Sequence, residues 1–357
     1  MEVKPICGIP VERFETVDML KRLLEAQTTL AQVSGEAQAI PNQNILINTL
    51  SLQEARGSSV IENVMTTFRG LIEASESETP NHAEKEVLSY RRGLELGLRL
   101  MREKGYLSTS VMIAIANEIN GDNAGVRRLP GTVLRDGAGN TVFEPPQNHE
   151  QIQILLGDLE RFLNDPQVAA GMNPLVRMAL AHWHFECIHP FYDGNGRTGR
   201  ILNVLYLMKE GLIQAPILYL SRHIVRTKLN YYETIRTASE AGDLEAWVSY
   251  MLEVVHQSSR YTLSIVRQIR EGLTRFKQGI RATHSFYSQD LLNLIFLHPH
   301  TTIQRASREL RVTRKTATKY LDALVASEHL ERKKLGRRVF YFNPILMSIL
   351  SDDEATT

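Results

Sequence analysis

The feature that most restricts the fold of this chain is a glycine-rich segment, HPFYDGNGRTGR, from His189 to Arg200. The run before it has helical apolar spacing and starts at Asn173-Pro174, where asparagine can cap a helix and proline fits its first turn. After the segment, apolar residues again recur at helical spacing until Gly211, which can end a second helix. The sequence therefore predicts a helix, a tight loop and a second helix.

Most of the remaining chain also shows helical periodicity, so we expect a mainly α protein. One stretch, residues 126–146, instead has two β-prone runs around the turn sequence Arg135–Gly139, which is typical of a hairpin. The polar stretch 75–81 is expected to be a surface turn. Helices are expected at 12–34, at 45–55 with the pattern continuing toward 72, and at 82–102, 108–119, 151–163 and 244–277.

Composition limits the class of protein. A chain of 357 residues suggests two or three domains, and its hydrophobic share of 43% is that of an ordinary globular protein. The net charge of +1 gives no overall attraction to nucleic acid. The only cysteines, Cys7 and Cys187, are a poor basis for disulfides, and we see no signal peptide or membrane-length apolar run. We therefore expect a cytoplasmic location and no membrane partner.

The glycine-rich segment has the residues that a phosphate site needs. Gly194 and Gly196 allow close backbone approach, and the next helix would point unpaired N–H groups at an anion. Asp193 is placed to bind Mg²⁺, while Arg197 and Arg200 share a helix face and can reach one oligophosphate. A Gly-Asn-Gly sequence alone more often makes a plain turn, so these neighbours carry the prediction.

Histidines before the loop differ in their expected roles. His189 lies beside the predicted phosphate loop, where it can take a proton from an attacking hydroxyl. His182 and His184 are expected to be structural core residues. A zinc site formed by all three is unattractive, because these spacings do not place them on one helical face.

The segment resembles the signature of the Fic family, HxFx(D/E)GNGRxxR. The resemblance implies a helical core that transfers AMP from ATP to a Ser, Thr or Tyr hydroxyl of a protein, itself included, with Mg²⁺ and release of pyrophosphate. It further implies that His189 is the base, that Asp193 binds Mg²⁺ and that Arg200 anchors the γ-phosphate. Phosphorylating relatives usually have a lysine within GNGR, which this chain lacks. Every fixed position is matched: His189, Phe191, Asp193, Gly194, Asn195, Gly196, Arg197 and Arg200.

A second segment, SSVIEN, resembles the inhibitory helix motif (S/T)xxxE(G/N) of this family at Ser58, Glu62 and Asn63. The resemblance implies that Glu62 pairs with Arg200, which would occupy the place of the γ-phosphate. Alternatively, Glu62 is an ordinary helix carboxylate. In some relatives this glutamate also positions a water that removes AMP, so a de-AMPylating hydrolase is an alternative function.

The resemblance covers roughly residues 1–255 and extends to two weaker features. The predicted hairpin lies where the family has a flap that receives the target segment as an added strand. Tyr231 and Tyr232 resemble a tyrosine pair beside the adenine pocket, although Ser239 stands where relatives often have asparagine. Simple core packing of the two tyrosines is the alternative.

The C-terminal region resembles a winged helix-turn-helix domain. Residues 301–325 contain two short apolar stripes separated by a turn at 311–313, and residues 331–343 look like a wing around Gly336. Its basic residues could contact DNA phosphates. Alternatively, the winged helix serves in dimerisation, giving a homodimer, or in docking another protein, and its lysines simply face water. These basic residues are Arg314, Lys315 and Lys319 on the second helix and Lys333, Lys334, Arg337 and Arg338 in the wing.

Our hypothesis is an autoinhibited protein adenylyltransferase with an appended winged helix, and its leading rival is a DNA-bound regulator whose Fic core only senses nucleotide. The expected divisions are an N-terminal helical region with the inhibitory motif at 1–95, a catalytic core at 96–245, a helical linker at 246–284, the winged helix at 285–348 and a disordered tail at 349–357.

Overall fold

In the computed structural model of the chain, the described residues are 3–68, 70–71, 81–135, 141–335 and 338–351. Four predicted features lie wholly or largely outside them: the surface turn at 75–81, the hairpin turn, the wing turn with Arg337, and the tail.

Helices dominate the described chain, which confirms the mainly α prediction. No helix among these residues is both long enough and apolar enough to cross a membrane. The helices are α1 Val17–Gln38, α2 Gln43–Ile61, α3 His82–Lys104, α4 Thr109–Asn120, α5 His149–Asn164, α6 Pro174–Ile188, α7 Asn195–Lys209, α8 Ser221–Arg226, α9 Lys228–Ala241, α10 Leu244–Thr283, α11 Gln289–Leu297, α12 Ile303–Glu309, α13 Arg314–Ala326 and α14 Pro344–Ser351.

Several helix boundaries differ from the prediction by a few residues, and two of these differences have a visible local cause. Helix α1 begins at Val17 instead of residue 12, because Thr16 caps it and Val11–Phe14 form a separate 3₁₀ turn. The expected helical pattern toward residue 72 is interrupted, since α2 ends at Ile61 and residues 62–67 are not helical, but Phe68, Gly70 and Leu71 are helical again. Asn63 has a φ of +63°, a left-handed conformation that ends helices and that asparagine tolerates. The early end places Glu62 at the C-terminus of α2.

The predicted hairpin is present but has much shorter strands than the range 126–146. Strand β1, Leu134–Arg135, pairs antiparallel with β2, Thr141–Phe143. The chain before β1 makes other bonds: the Arg127 N–H donates to the Pro190 carbonyl at 2.9 Å. Pro130 lacks an N–H, and Gly131 has a φ of +103°, so this stretch does not continue the ladder.

A three-stranded antiparallel sheet completes the C-terminal region in the order β3–β5–β4. Its strands are β3 His300–Thr301, β4 Glu331–Leu335 and β5 Arg338–Phe342. Helices α12 and α13 connect β3 to β4, and α12 packs against α13. This order of elements is that of the predicted winged helix-turn-helix.

Two hydrophobic clusters contain most of the core. The larger one holds α6, α7 and the first part of α10 together, with Ile188, Leu205 and Trp247 fully enclosed. The other joins the start of α2 to α10 and the winged helix, and Leu46 and Leu321 belong to it. The expected linker 246–284 is helical as α10, but it packs along α1 as part of both clusters.

Candidate active site

The glycine-rich loop is closed by its own side chains. His189 ends α6 at a φ of +46°, and Gly194 precedes α7 at a φ of +75°. Asn195 accepts a hydrogen bond from the Phe191 N–H at 2.9 Å and donates one to the Phe191 carbonyl at 2.8 Å. A Cβ on Gly194 would lie 2.6 Å from Oδ1 of Asn120, so this position requires glycine. The loop is therefore held in shape with the N-terminus of α7 facing it.

Arg200, on α7, donates three hydrogen bonds to Ser58 and Glu62 of the SSVIEN segment, residues 58–63. Its Nε donates to Oγ of Ser58 at 2.8 Å, and its Nη2 donates to the Ser58 carbonyl at 3.0 Å and to Oε1 of Glu62 at 2.7 Å. Arg200 is 1% exposed, whereas the Glu62 side chain, at the rim, is 36% exposed. The pairing of Glu62 with Arg200 that the resemblance implied is present.

The two charges stabilise each other. Burial alone would lower the pKa of Arg200, but Glu62, with smaller contributions from Tyr231 and Glu186, outweighs burial and raises that pKa. Burial would likewise raise the pKa of Glu62, and Arg200 lowers it below its usual range. Both groups are therefore charged at neutral pH, and the ion pair persists there.

Two glycines and a left-handed asparagine allow α2 to lie close to α7. A Cβ on Gly57 would lie 2.7 Å from the Tyr219 ring, and one on Gly196 would meet the Glu62 carboxylate. Asn63 turns the chain directly after Glu62, and its Oδ1 accepts a hydrogen bond from Lys228 at 2.8 Å. Gly57 before the SSVIEN segment and Asn63 at its end therefore both contribute to holding Glu62 against α7.

Arg197, in the first turn of α7, is 5% exposed and forms an ion pair with Glu86 of α3. Its Nη2 lies 3.5 Å from Oδ1 of Asp193. The Asp193 side chain is 79% exposed, and Oδ1 accepts a hydrogen bond from the Gly194 N–H at 2.6 Å. Sequence reasoning missed Glu86, since nothing in the local sequence of α3 indicates a partner on α7.

His189 is held at the loop rim by a second residue that the sequence analysis missed, Arg127. The Arg127 side chain is fully buried, and its Nε donates to the His189 carbonyl at 2.8 Å. Its Nη2 donates to the carbonyls of Pro146 and, at 3.4 Å, Ile188. One guanidinium therefore ties both ends of the hairpin segment to the loop.

Burial lowers the pKa of His189 to about 4, the Glu186 backbone opposes this shift and the nearby Arg127 charge adds to it. The imidazole is therefore neutral at pH 7 and can accept a proton. His182 and His184 are buried in the core, and burial lowers their pKa values to about 3 and about 4. They do not join His189 as one ligand set.

The tyrosine pair divides into a core and a surface residue. Tyr231 is 2% exposed, and its hydroxyl lies 2.9 Å from Nε2 of His182. Tyr232 is 44% exposed, with its ring 5.2 Å from that of Tyr231. The Oγ of Ser239 accepts a hydrogen bond from Nε1 of Trp183 at 3.1 Å. Core packing accounts for Tyr231, and the adenine role of the pair stays a prediction.

In the winged helix, Arg314, Lys315 and Lys319 are exposed on α13. Lys334 and Arg338 are exposed on the two wing strands, and Lys333 pairs with Glu331 at 2.8 Å. Arg337 lies outside the described residues. The basic face that the sequence predicted is therefore on the surface.

Three regions of the chain match known families. Residues 20–99 match the Fic/DOC family N-terminal region, residues 106–207 match the Fic/DOC family, and residues 273–346 match the C-terminal domain of SoFic-like protein adenylyltransferases. Among curated proteins, the chain is 38% identical over 106 residues to protein adenylyltransferase fic-1 of Caenorhabditis briggsae, covering 30% of this chain and 19% of that protein. It is 32% identical over 248 residues to protein adenylyltransferase Fic of Drosophila virilis, covering 68% and 46%. The chain thus spans less than half the length of these relatives.

Solved structures show the same fold. A Fic family protein from Desulfovibrio desulfuricans superposes with a TM-score of 0.56 at 18% identity, over 90% of this chain and 96% of that one. Fic-1 from Caenorhabditis elegans superposes with a TM-score of 0.51 at 22% identity, over 70% and 72%. The matches of residues 20–99 and 106–207 to the Fic/DOC family, together with the signature loop, show that the chain belongs to the Fic/DOC family.

Proposed function

We propose that the chain is a protein adenylyltransferase that moves AMP from ATP to a Ser, Thr or Tyr hydroxyl of a protein, itself included, and that Glu62 restrains it at rest. The observation that carries this proposal is the buried Arg200, held by Ser58 and Glu62 on the helix that follows the phosphate loop. A γ-phosphate needs the same Nη2 donor that Glu62 occupies. Nucleotide would therefore bind productively only after Glu62 has left.

The proposed reaction is an in-line displacement at the α-phosphate. The acceptor oxygen forms a bond to the α-phosphorus while the bond to the bridging oxygen breaks, and pyrophosphate leaves. Neutral His189 takes the hydroxyl proton. The N–H groups at the start of α7, with Arg197 and Arg200, offset the phosphate charges.

The residues present fit a magnesium ion. Asp193 offers an exposed carboxylate beside the loop, and a single carboxylate with phosphate oxygens and waters is a usual ligand set for Mg²⁺. When bound, Mg²⁺ would neutralise part of the phosphate charge. The acceptor segment would add as a strand to the β1–β2 hairpin, whose flanking segments Arg127 ties to the loop at His189.

Intact-mass measurement after incubation with ATP and Mg²⁺ tests this proposal. We expect an AMP adduct, on the chain or on an added target, that is strongest in Glu62→Gly and absent in Glu62→Gly/His189→Ala. Glu210→Gly is the matched control, because Glu210 also directly follows a helix but lies at the far end of α7. No adduct in any variant, with candidate targets supplied, would overturn the proposal.

A de-AMPylating hydrolase is a second candidate, favoured by the partial exposure of Glu62, which leaves its carboxylate able to position a water. A pre-modified chain, freed of ATP, would then lose AMP faster with wild-type protein than with Glu62→Gln. Equal rates would exclude this role for Glu62.

For the winged helix we propose duplex DNA as the partner, on the support of the exposed Arg314, Lys315 and Lys319. Each of these residues replaced by glutamine should lower affinity for any duplex sequence and reduce the salt slope by about one. Undetectable or salt-independent binding would refute the proposal, and a concentration-dependent dimer in sedimentation would favour the dimerisation alternative. A cytoplasmic location stays a prediction from the two free cysteines.

A further inference from the structure

The three nitrogen atoms of the buried Arg197 guanidinium have different surroundings. Its Nη1 faces the Glu86 carboxylate, and its Nη2 lies 3.5 Å from Asp193. Its Nε and Nη1 are both buried and, among the described residues, neither makes a hydrogen bond, although Nη1 is in ion-pair contact with Glu86. A buried donor without a partner costs about 1–3 kcal/mol, so an added acceptor at this edge of the guanidinium would be stabilising.

The planar guanidinium links the direction of Nε to that of Nη1, because its five N–H groups form a rigid fork. A partner that fixes Nη1 therefore also sets where Nε points. Glu86 is suited to this task, since its side chain is only 19% exposed and lies against a buried arginine. Its other oxygen lies 3.9 Å from Nε2 of His82, one helical turn earlier.

The start of α3 is itself fixed by a capping box. Oδ1 of Asn81 accepts a hydrogen bond from the Glu84 N–H at 2.9 Å, and Oε2 of Glu84 accepts one from the Asn81 N–H at 2.8 Å. The first turns of α3 therefore present Glu86 at a defined position. This rigidity distinguishes Glu86 from Glu62, which lies at the rim after the last turn of α2.

We propose that Glu86 is a positioning residue, which holds Nη1 of Arg197 so that Nε donates to a phosphate oxygen of the bound nucleotide. The inference rests on the proposed nucleotide site, because the acceptor is assigned to that ligand. Glu86 itself touches no phosphate. It stays on Arg197 when nucleotide binds, whereas Glu62 must leave Arg200.

If Glu86 instead restrained ATP binding at Arg197, as Glu62 does at Arg200, the opposite change in ATP affinity would be expected. A carboxylate that competes with nucleotide for Arg197 should, when removed, increase ATP affinity. A carboxylate that orients Arg197 should, when removed, decrease it. The sign of the change in ATP affinity therefore decides between the two roles.

The test measures ATP·Mg²⁺ binding by calorimetry in a Glu62→Gly/His189→Ala background, which prevents transfer. Glu86→Ala should weaken ATP binding about tenfold, as expected for one charge-assisted hydrogen bond, and Glu86→Gln should weaken it less. Glu95→Gln is the matched control, since Glu95 lies on the same helix, is 63% exposed and pairs with Arg91. It should change nothing.

The added substitution Arg197→Ala separates positioning from a general structural effect. In that background, Glu86→Ala should have no further effect on ATP affinity. Three results would each overturn the proposal. The first is tighter ATP binding in Glu86→Ala, and the second is a loss of ATP affinity below about threefold in both Glu86 variants. The third is that Glu86→Ala lowers ATP affinity equally in the Arg197→Ala background. Thermal melting of every variant identifies misfolding, and Glu86→Gln keeps the test decisive if Glu86→Ala unfolds. Since binding is the readout, absence of AMP transfer would refute only the proposed function.

Discussion

Arg127 should contribute both to the free energy of unfolding and to the pH dependence of AMP transfer. Arg127→Met tests both, because methionine fills similar space without charge. The guanidinium gives two good hydrogen bonds, to the carbonyls of His189 and Pro146, and a weaker one to Ile188. Hydrogen bonds from a charged donor contribute about 1.5–3 kcal/mol each, partly offset by the cost of burying the guanidinium. We therefore expect a loss of about 2–4 kcal/mol, or a melting temperature lower by about 5–15 °C.

The same substitution should change the pH dependence of transfer. Burial is the main cause of the low pKa of His189, about 4, and the Arg127 charge lowers it further. Without that charge the pKa rises. Because the base acts only when neutral, activity falls as pH drops through this pKa, and the acid limb should move to higher pH.

The assay is denaturant unfolding together with AMP-transfer rates from about pH 3 to 8 in the Glu62→Gly background, a range that includes the acid limb near the His189 pKa. Arg128→Met is the control, since Arg128 is the exposed neighbour. A stability loss below about 1 kcal/mol, or an acid limb that Arg128→Met moves as far as Arg127→Met, would refute the reasoning.

Two further substitutions test other parts of the account. Gly57→Ala should push α2 away from the buried Tyr219, since the new Cβ would lie 2.7 Å from its ring. The contact of Glu62 with Arg200 should then loosen, so that AMP transfer rises and the melting temperature falls slightly. Unchanged AMP transfer would contradict the close packing of α2. Burial raises the pKa of Glu186 to about 8. Above about pH 4.5 the unfolded chain ionises this group while the folded chain does not, so stability falls as pH rises toward 8. Glu186→Gln should raise the melting temperature at pH 8 but not at pH 4, and an equal change at both values would contradict this origin.

Residues close together in the sequence could be predicted as a set, because their spacing alone places them on one loop. His189 to Arg200 is such a set, and the structure brings its members together. The pairing of Glu62 with Arg200 joins residues 138 positions apart and was foreseen only through a motif resemblance. Arg127 and Glu86 belong to no recognised motif, and their partners are distant in the chain, so only packing reveals them.

Element types were easier to predict than element ends. The winged helix followed from apolar stripes and turn residues, whereas the end of α2 depended on a left-handed Asn63 within a run that still had helical spacing. The long helix α10 has a regular apolar stripe, but that stripe does not tell a free linker from a packed helix. Its contact with α1 is a property of the tertiary structure.

The central claim is that Arg200 binds either Glu62 or a γ-phosphate and never both. Calorimetry of ATP and ADP in a His189→Ala background, with and without Glu62→Gly, tests it most directly. ATP and ADP should bind about equally when Glu62 is present, and ATP should bind about tenfold more tightly than ADP when Glu62 is absent, which is the contribution of one charge-assisted hydrogen bond. The same ratio of ATP to ADP affinity in both proteins would contradict it.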